Sequence, residues 1–247
     1  MTDTAPTTGP APAPPEPVVL ITGATGGLGR VVAATFAADG ARLGLVGTDA
    51  DRLANVAEAC GLGADGWAAG IGDLSEPEGA RAAVDAVVGR FGRIDAWLHV
   101  VGGWAGGTPV VDLDHAEVRS MLDQHLWTTL NVAQAVVPGM VERGWGRIVA
   151  VSTPFALTPG PRGASYAVGK AAEDTLVRAL ARELGGTGVT ANLVVVKQID
   201  TAHERETAPS TKNASSTTPE EIAATMRFLC SDAAAAINGA RIPLDGR

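Results

Sequence analysis

Tyr166 and Lys170 are the residues whose types and spacing point most directly to proton chemistry. Tyr166 is the only tyrosine among 247 residues, and Lys170 follows it by four positions in the segment ASYAVGK (164–170). On a helix, residues four apart lie on one face, a single turn from each other. One interpretation of this pair is a proton-transfer device, in which the lysine ammonium favours the ionised form of the phenol. The other interpretation is a tyrosine that packs beside a solvated lysine.

A glycine-rich turn lies near the start of the chain, in the segment TGATGGLG (22–29). It follows a short apolar run typical of a buried strand and opens a stretch with helical spacing. Glycines at such a turn let a pyrophosphate approach the helix N-terminus, where free N–H groups and the helix dipole favour an anion. Because strand-to-helix turns also favour glycine without a ligand, the motif by itself is a hypothesis. Its candidate cofactor contacts are Gly23, Thr25, Gly27, Leu28 and Gly29.

The choice of dinucleotide is expected at the end of the second predicted strand, which reads Gly47-Thr48-Asp49. A carboxylate at the strand end binds the ribose hydroxyls of NAD, whereas a small residue with a nearby cation accommodates the 2′-phosphate of NADP. Gly47 removes the argument for NAD, and Thr48 offers a hydroxyl that can donate to a phosphate. No arginine stands at Thr48, and Gly26 supplies no cation. We expect NADP(H) in preference to NAD(H).

Apolar runs and stretches of helical spacing alternate along the chain. The predicted strands lie at 17–22, 42–47, 66–71, 95–101, 147–152, 189–196 and 240–244. The predicted helices lie at 27–40, 49–61, 76–91, 114–142, 164–184 and 219–230. Continuous apolar strands that alternate with helices predict an α/β fold, a single Rossmann-type doubly wound parallel sheet of about seven strands with helices on both faces.

Two segments stand apart from this pattern. Residues 1–17, MTDTAPTTGPAPAPPEP, are rich in proline and small polar residues, and they predict a disordered tail before a single domain at 18–247. The tail has neither the basic residues nor the apolar stretch of a signal peptide. Residues 202–218 are polar and predict a substrate loop, since a loop of that length in a compact domain is often a lid or binding loop.

Charge and composition narrow the partners. The net charge of −8 argues against a nucleic acid or an anionic membrane as partner, and no apolar run approaches the roughly 20 residues of a membrane helix. Cys60 and Cys230 are far apart, so neither a disulfide framework nor a cysteine metal site is expected. The four histidines show no metal-ligand spacing. These features favour a cytoplasmic protein with a small-molecule substrate and no bound metal.

The motifs resemble those of the short-chain dehydrogenase/reductase family over about 18–246, nearly the whole predicted domain. Members carry Thr-Gly-x-x-x-Gly-x-Gly at the first turn, which here begins at Thr22, and Tyr-x-x-x-Lys on a later helix. The resemblance implies that Tyr166 donates a proton to a carbonyl oxygen as hydride reaches the carbon. It implies that Lys170 lowers the pKa of Tyr166 and also holds the nicotinamide ribose.

The resemblance extends to the cofactor contacts and to assembly. It implies a homodimer or homotetramer that uses the predicted helices at 114–142 and 164–184. Asp73, after the third strand, matches the aspartate that meets the adenine ring, and the residues after the fourth and sixth strands match those around the nicotinamide. The cofactor contacts implied at these three places are Asp73, Gly102, Ile199 and Thr201.

Several positions depart from the family pattern. Thr153 stands where a catalytic serine is expected and keeps a hydroxyl that can orient a substrate carbonyl, while strand alternation turns Ser152 to the other face. His125 replaces the asparagine of a water relay to the lysine; it is either a pH-sensitive member of that relay or an ordinary helix histidine. Val196-Lys197 replaces Pro-Gly, so that Lys197 either faces solvent or meets a phosphate or acidic substrate.

The segment VGGWAGG (101–107) resembles a stretch of the dihydropteridine reductases, a branch of the same family, in which it lines the nicotinamide and pterin site. Glycines allow close approach to a ring, and Trp104 offers a face for stacking. The alternative is a flexible loop with one tryptophan covering the core. We expect the substrate to enter beside Trp104, under the 202–218 loop.

The sequence therefore predicts an NAD(P)H-dependent oxidoreductase that reduces a carbonyl or imine-like bond of a small molecule. Tyr166 is the proton donor, Lys170 tunes it, Thr153 orients the substrate and His125 replenishes the proton. Trp104, Thr153 and Tyr166 are the expected substrate contacts. The alternatives are a dihydropteridine-reductase-like enzyme, and a degenerate family member that acts as a non-redox acid–base catalyst or a non-catalytic binding protein.

Overall fold

The computed structural model describes residue 14 and residues 16–245, so the predicted tail at 1–17 falls mostly outside the described residues. Seven parallel strands form one sheet in the order β3-β2-β1-β4-β5-β6-β7. The strands are β1 (Val18–Thr22), β2 (Arg42–Gly47), β3 (Trp67–Ile71), β4 (Ala96–His99), β5 (Gly146–Ser152), β6 (Val189–Val196) and β7 (Arg241–Leu244). The predicted fold class is confirmed.

Helices connect the strands and cover both faces of the sheet. They are α1 (Gly27–Ala38), α2 (Ala50–Ala59), α3 (Pro77–Phe91), α4 (His115–Leu122), α5 (Thr128–Arg143), α6 (Ala164–Glu183), α7 (Glu204–Thr207) and α8 (Pro219–Leu229). One core cluster joins the sheet to α1, α2 and α8, and a second joins it to α3, α5 and α6. The strands are buried on both sides, which explains why they read as continuous apolar runs.

The strand order places a crevice at the carboxyl ends of β1 and β4. The chain leaves β1 toward β2 and β3 on one side, and it returns to β4 and β5 on the other. Connections that diverge in this way leave a gap at the sheet edge, which is where open α/β sheets bind ligands. Thr22 and His99 pair at the last position of β1 and β4, so they form the floor of this crevice.

The predicted helix at 114–142 is interrupted. A π-helical turn, Asp123–Trp127, separates α4 from α5 and carries the buried His125 at its centre. The wider turn inserts one extra residue per turn, a feature that is frequent at functional sites. The predicted strand at 95–101 is shorter than expected, because pairing ends at His99 and the chain continues as an irregular glycine-rich segment.

The predicted loop at 202–218 is folded against the domain. The Asp200 carboxylate accepts from the backbone N–H groups of Glu204 and Arg205, which starts α7. The Arg205 guanidinium donates to the Ser216 carbonyl, and Ile199 forms a parallel bridge with Thr217. Within the described part of the chain, no helix is long and apolar enough to cross a membrane.

The turn into α1 gives a test of the packing. An added Cβ at Gly29 would lie 2.2 Å from the Gly23 carbonyl oxygen, whereas the exposed helical position Gly89 has open space. We expect Gly29→Ala to lower the free energy of unfolding by about 1–3 kcal/mol, because backbone must shift. Gly89→Ala should raise it by roughly 0.5–1 kcal/mol through reduced unfolded-state entropy. Urea unfolding of both variants checks this; equal effects would contradict it.

Candidate active site

Two adjoining cavities lie at the carboxyl ends of the central strands. The first, of about 300 Å³, is lined near β1, β2 and β3 by Gly23, Thr25, Gly47, Thr48 and Asp73, among others. The second, of about 200 Å³, is lined by Leu28, Gly102, Trp104, His125, Tyr166, Lys170 and Ile199, with four further residues. Val101 lines both, so the two cavities form one groove across the sheet edge.

The glycine turn shapes the groove between the cavities. Gly23 has φ +85°, and a Cβ there would lie 2.9 Å from the Val100 carbonyl, so only glycine lets β1 pass this close to the segment after β4. A Cβ at Gly27 would lie 2.9 Å from Cγ2 of Thr201, which places Thr201 over the first turn of α1. Two predicted cofactor contacts that are far apart in the sequence, Gly27 and Thr201, therefore lie side by side.

Two arginines that the sequence analysis did not identify bind the backbone of Thr25, a residue that lines the first cavity. The side chains of Arg30 and Arg52 both donate to the Thr25 carbonyl, at 3.1 and 3.5 Å. Arg52 also donates its backbone N–H to the Asp49 carboxylate, which caps α2. Neither arginine stands at Thr48 or Gly26, the two positions at which the sequence lacks a cation. Helical geometry offered a wider signal, since the first turn of a helix after a strand end faces the same crevice.

Tyr166 stands in the second cavity among aromatic neighbours. Its ring is edge-on to His125 at 5.6 Å and to Phe155 at 6.2 Å between centroids. Trp104 lines the same cavity with 65% of its surface exposed, and its indole lies against Gly106. The predicted pair of Tyr166 and Trp104 is therefore brought together at one opening.

Thr153 lies outside the lining of the second cavity. It is buried, and its hydroxyl oxygen accepts from the backbone N–H of Phe155 at 3.4 Å. Ser152 turns the other way, as strand alternation predicts, and donates to the Asp174 carboxylate at 3.0 Å. Arg241 of β7 binds the same carboxylate and the Thr153 carbonyl, which fixes the backbone there. The substrate contact of Thr153 stays a prediction.

Lys170 is buried at the base of the second cavity, with 5% of its surface exposed. Its Nζ donates to the Val151 carbonyl at 2.8 Å and to Oε2 of Glu173 at 2.6 Å. Glu173 is fully buried and was not identified from the sequence. Its place one helical turn after Lys170 was a signal that could have found it.

His125 fits between two glycines beside this pair. An added Cβ at Gly102 would lie 2.8 Å from its Cε1, and one at Gly169 would lie 3.0 Å from its Cδ2. Its Nε2 donates to the Gly103 carbonyl at 3.2 Å. Burial, reinforced by the charge of Lys170, lowers the pKa of His125 to about 3. The expected pH-sensitive charge at His125 is thus wrong, because the ring stays neutral at physiological pH.

His99 is a second buried histidine on the other side of the same carboxylate. Its Nδ1 lies 2.7 Å from the Thr22 hydroxyl, and its Nε2 lies 3.9 Å from Oε1 of Glu173. Burial, then the charge of Lys170, lowers the pKa of His99 to about 3. Two neutral histidine rings, His99 and His125, therefore pack against the ion pair of Lys170 and Glu173.

Lys197 does not enter either cavity. Its side chain is exposed, and Nζ donates to the Ser215 hydroxyl at 2.9 Å. Of the alternatives for this residue, the structure supports the one in which it points outward and holds the 202–218 segment. Among the described residues, no group of histidine, cysteine and carboxylate side chains could hold a metal ion.

Comparison with known proteins places these features among dehydrogenases and reductases. A family model described as enoyl-(acyl carrier protein) reductase matches residues 23–246. D-threitol dehydrogenase of Mycolicibacterium smegmatis is 34% identical over 239 residues, which cover 93% of this chain and 91% of that protein.

The solved structures that resemble this chain also include dehydrogenases and reductases. A short-chain type dehydrogenase/reductase from Mycobacterium ulcerans is 30% identical with a TM-score of 0.84, covering 93% of this chain and 88% of its own. L-sorbose reductase from Gluconobacter frateurii, solved with NADPH and L-sorbose, is 26% identical with a TM-score of 0.82, covering 94% and 95%.

The neutral histidines predict an acid-sensitive fold. Both pKa values fall from 6.5 to about 3 on folding, so stability is complete above 6.5 and is lost as pH falls toward 3. Each ring contributes a slope of about 1.4 kcal/mol per pH unit in that window. Urea unfolding across the window should show His99→Asn with a shallower slope than the native chain. His115→Asn, at an exposed position, should leave the slope unchanged, and an equal slope in His99→Asn would contradict the assignment.

Proposed function

The chain belongs to the short-chain dehydrogenase/reductase family of NAD(P)-dependent oxidoreductases, and from that premise we propose that it uses NADPH to reduce a carbonyl or imine-like bond of a small molecule. One observation carries the proposal. Tyr166 and Lys170 line a cavity that adjoins, through Val101, the cavity of the glycine turn and Asp73.

The groove fits a dinucleotide by its shape. The turn at Gly23, Gly27 and Gly29 is so tight that an added Cβ at any of them would lie within 3 Å of a neighbouring atom. Free N–H groups at the start of α1 favour a pyrophosphate. Thr25, Thr48 and Asp73 would hold the adenosine end. Leu28, Gly102, Ile199, Thr201 and Lys170 would hold the nicotinamide end. A bound nicotinamide cofactor supplies the hydride.

The chain's own residues supply the proton and the orientation. Tyr166 donates its phenolic proton to the substrate oxygen or nitrogen, and the ammonium of Lys170 stabilises the phenolate that forms. Thr153 orients the carbonyl from the end of β5. His125, neutral and bound through Nε2 to the Gly103 carbonyl, presents the lone pair of Nδ1 as a hydrogen-bond acceptor for the relay that replenishes the proton.

The arginines beside Thr25 support NADPH over NADH. Gly47 carries no carboxylate for ribose hydroxyls, and Thr48 lines the cavity. Arg30 and Arg52 place two guanidinium groups on the carbonyl of Thr25, where they can turn toward a 2′-phosphate.

The second candidate is a dihydropteridine-reductase-like activity on a flat ring. The exposed face of Trp104, which lies in the same cavity as Tyr166, favours this class because an indole stacks on a planar substrate. The segment 202–218, which is folded against the domain, would lie over such a substrate.

We also propose assembly into a homodimer or homotetramer through α5 and α6. Val141 on α5 and Val168 on α6 are 39% and 48% exposed, and apolar side chains of this kind gain by burial in an interface. The chain is expected to work in the cytoplasm.

Cofactor titration tests the dinucleotide preference. We expect NADPH to bind more tightly than NADH, and cofactor fluorescence measures the binding of each. Arg52→Gln should weaken NADPH binding roughly tenfold, because one charge-assisted contact is lost, and should leave NADH binding nearly unchanged. Arg81→Gln, an exposed arginine on α3, is the control. Equal losses for both dinucleotides would sink the phosphate role, and no binding of either would favour a non-catalytic protein.

Tyr166→Phe tests the proton donor. It should leave the dissociation constant for NADPH almost unchanged and lower turnover about 10²–10⁴-fold, the range for losing a general acid. Turnover is followed by NADPH absorbance in a screen of ketones, ketosugars, acyl thioesters and quinonoid pterins. Unchanged turnover would refute the role of Tyr166. Product formation without stoichiometric NADPH consumption would establish the non-redox alternative.

A further inference from the structure

The proposed mechanism leaves one buried acid without a role. Glu173 lies on α6 with none of its surface exposed, and its Oε2 accepts from the Lys170 ammonium at 2.6 Å. It does not line either cavity, so it has no contact with a substrate or dinucleotide there. Its hydrogen bond to Lys170 is therefore its most direct link to the cavity, since His125, the other cavity residue near it, lies 4.0 Å from its carboxylate.

We propose that Glu173 is a positioning residue that keeps Lys170 protonated in its buried place and thereby sets the acidity of Tyr166. This inference rests on the proposed function in one respect: the acidity of Tyr166 matters for catalysis only if Tyr166 is the proton donor. The effect of Glu173 on the charge of Lys170 needs neither cofactor nor substrate. It gives the carboxylate of Glu173 a task in the site that contains the proposed proton donor, Tyr166.

The ammonium needs a counter-charge because it is almost fully withdrawn from water. An unpaired buried lysine loses its proton, with a pKa lowered by as much as 3–5 units. The partners of Nζ are the Val151 carbonyl, which carries only a dipole, and Glu173, which carries a full charge. Removing either partner would leave the other with a buried, uncompensated charge.

The other titratable groups around Glu173 do not supply that charge. His99 from β4 and His125 from the π-helical turn lie 3.9 and 4.0 Å from its carboxylate, and both are neutral. Asp174, its neighbour on α6, is bound by Arg241 and Ser152. Glu117 of α4 accepts from Ser165 at the start of α6.

The ionisation of Glu173 depends in turn on the charge of Lys170. Burial raises the pKa of Glu173, and the charge and hydrogen bond of Lys170 lower it. Its Oε1 has no hydrogen-bond partner within the described part of the chain, and neither has Nδ1 of His125. Burial is the larger effect, so the pKa of Glu173 is raised, and the contact with Lys170 is what favours the ionised form. Loss of the carboxylate should in turn neutralise the lysine, because no other charged partner among the described residues replaces it.

The single tyrosine makes the consequence directly measurable. Ultraviolet difference spectra of tyrosinate against pH report Tyr166 alone, because the chain contains no other tyrosine. Glu173→Gln keeps the size of the side chain and removes its charge. With Lys170 neutral, the titration midpoint of Tyr166 should rise by about one pH unit or more. Glu183→Gln, which removes a charge at the exposed end of α6, should not move it.

The decisive comparison repeats Glu173→Gln in a Lys170→Arg background. A guanidinium stays charged without a carboxylate, so the rise should be absent or reversed there. A rise in the lysine background that disappears in the arginine background supports the proposal. A fall or no shift in the lysine background overturns it, as does an equal rise in both, which would mean a purely structural effect.

A second substitution covers the case in which Glu173→Gln does not fold. Glu173→Asp keeps the charge but moves it away from Nζ of Lys170. It should raise the titration midpoint of Tyr166 less than Glu173→Gln does, and only in the chain that keeps Lys170. Equal midpoints for native and aspartate chains would then overturn the proposal. Because the titration contains no dinucleotide, failure of NADPH binding would refute the proposed function and leave this result intact.

Discussion

The buried ammonium of Lys170 is the constraint on which the rest of the site depends. A charge with 5% of its surface exposed must be compensated inside the fold, and here a carbonyl of β5 and a carboxylate of α6 do so. Both partners are fixed by packing of α6 on the sheet. The position of the phenol that shares the cavity is therefore tied to the integrity of that packing.

A second buried carboxylate, one residue further along α6, ties the end of the chain to the same place. Asp174 accepts from Ser152 of β5 and from Arg241 of β7, and Arg241 also holds the Thr153 carbonyl. The last strand thus fixes the end of β5 beside the cavity. Two adjacent acids on one helix have separate tasks, since one compensates the lysine and the other joins the strands.

The buried polar residues around Lys170 form one connected set. His99, His125 and Glu173 meet around this single lysine, and Gly102 and Gly169 leave the space that the His125 ring occupies. His125, one of the departures from the family pattern, belongs to this set, whereas Thr153 and Lys197 lie outside it. The surroundings of the lysine are therefore packed as one unit.

The sequence by itself determined the fold, the turn that can cradle a dinucleotide and the pair of Tyr166 and Lys170. These follow from local rules, because strand and helix periods and a four-residue spacing are written within one segment. The tertiary structure alone decided that Arg52 reaches Thr25, that Lys197 faces outward, and that His99 meets Glu173. Such contacts join segments far apart in the chain, and no local period encodes which side chains the packed sheet brings together.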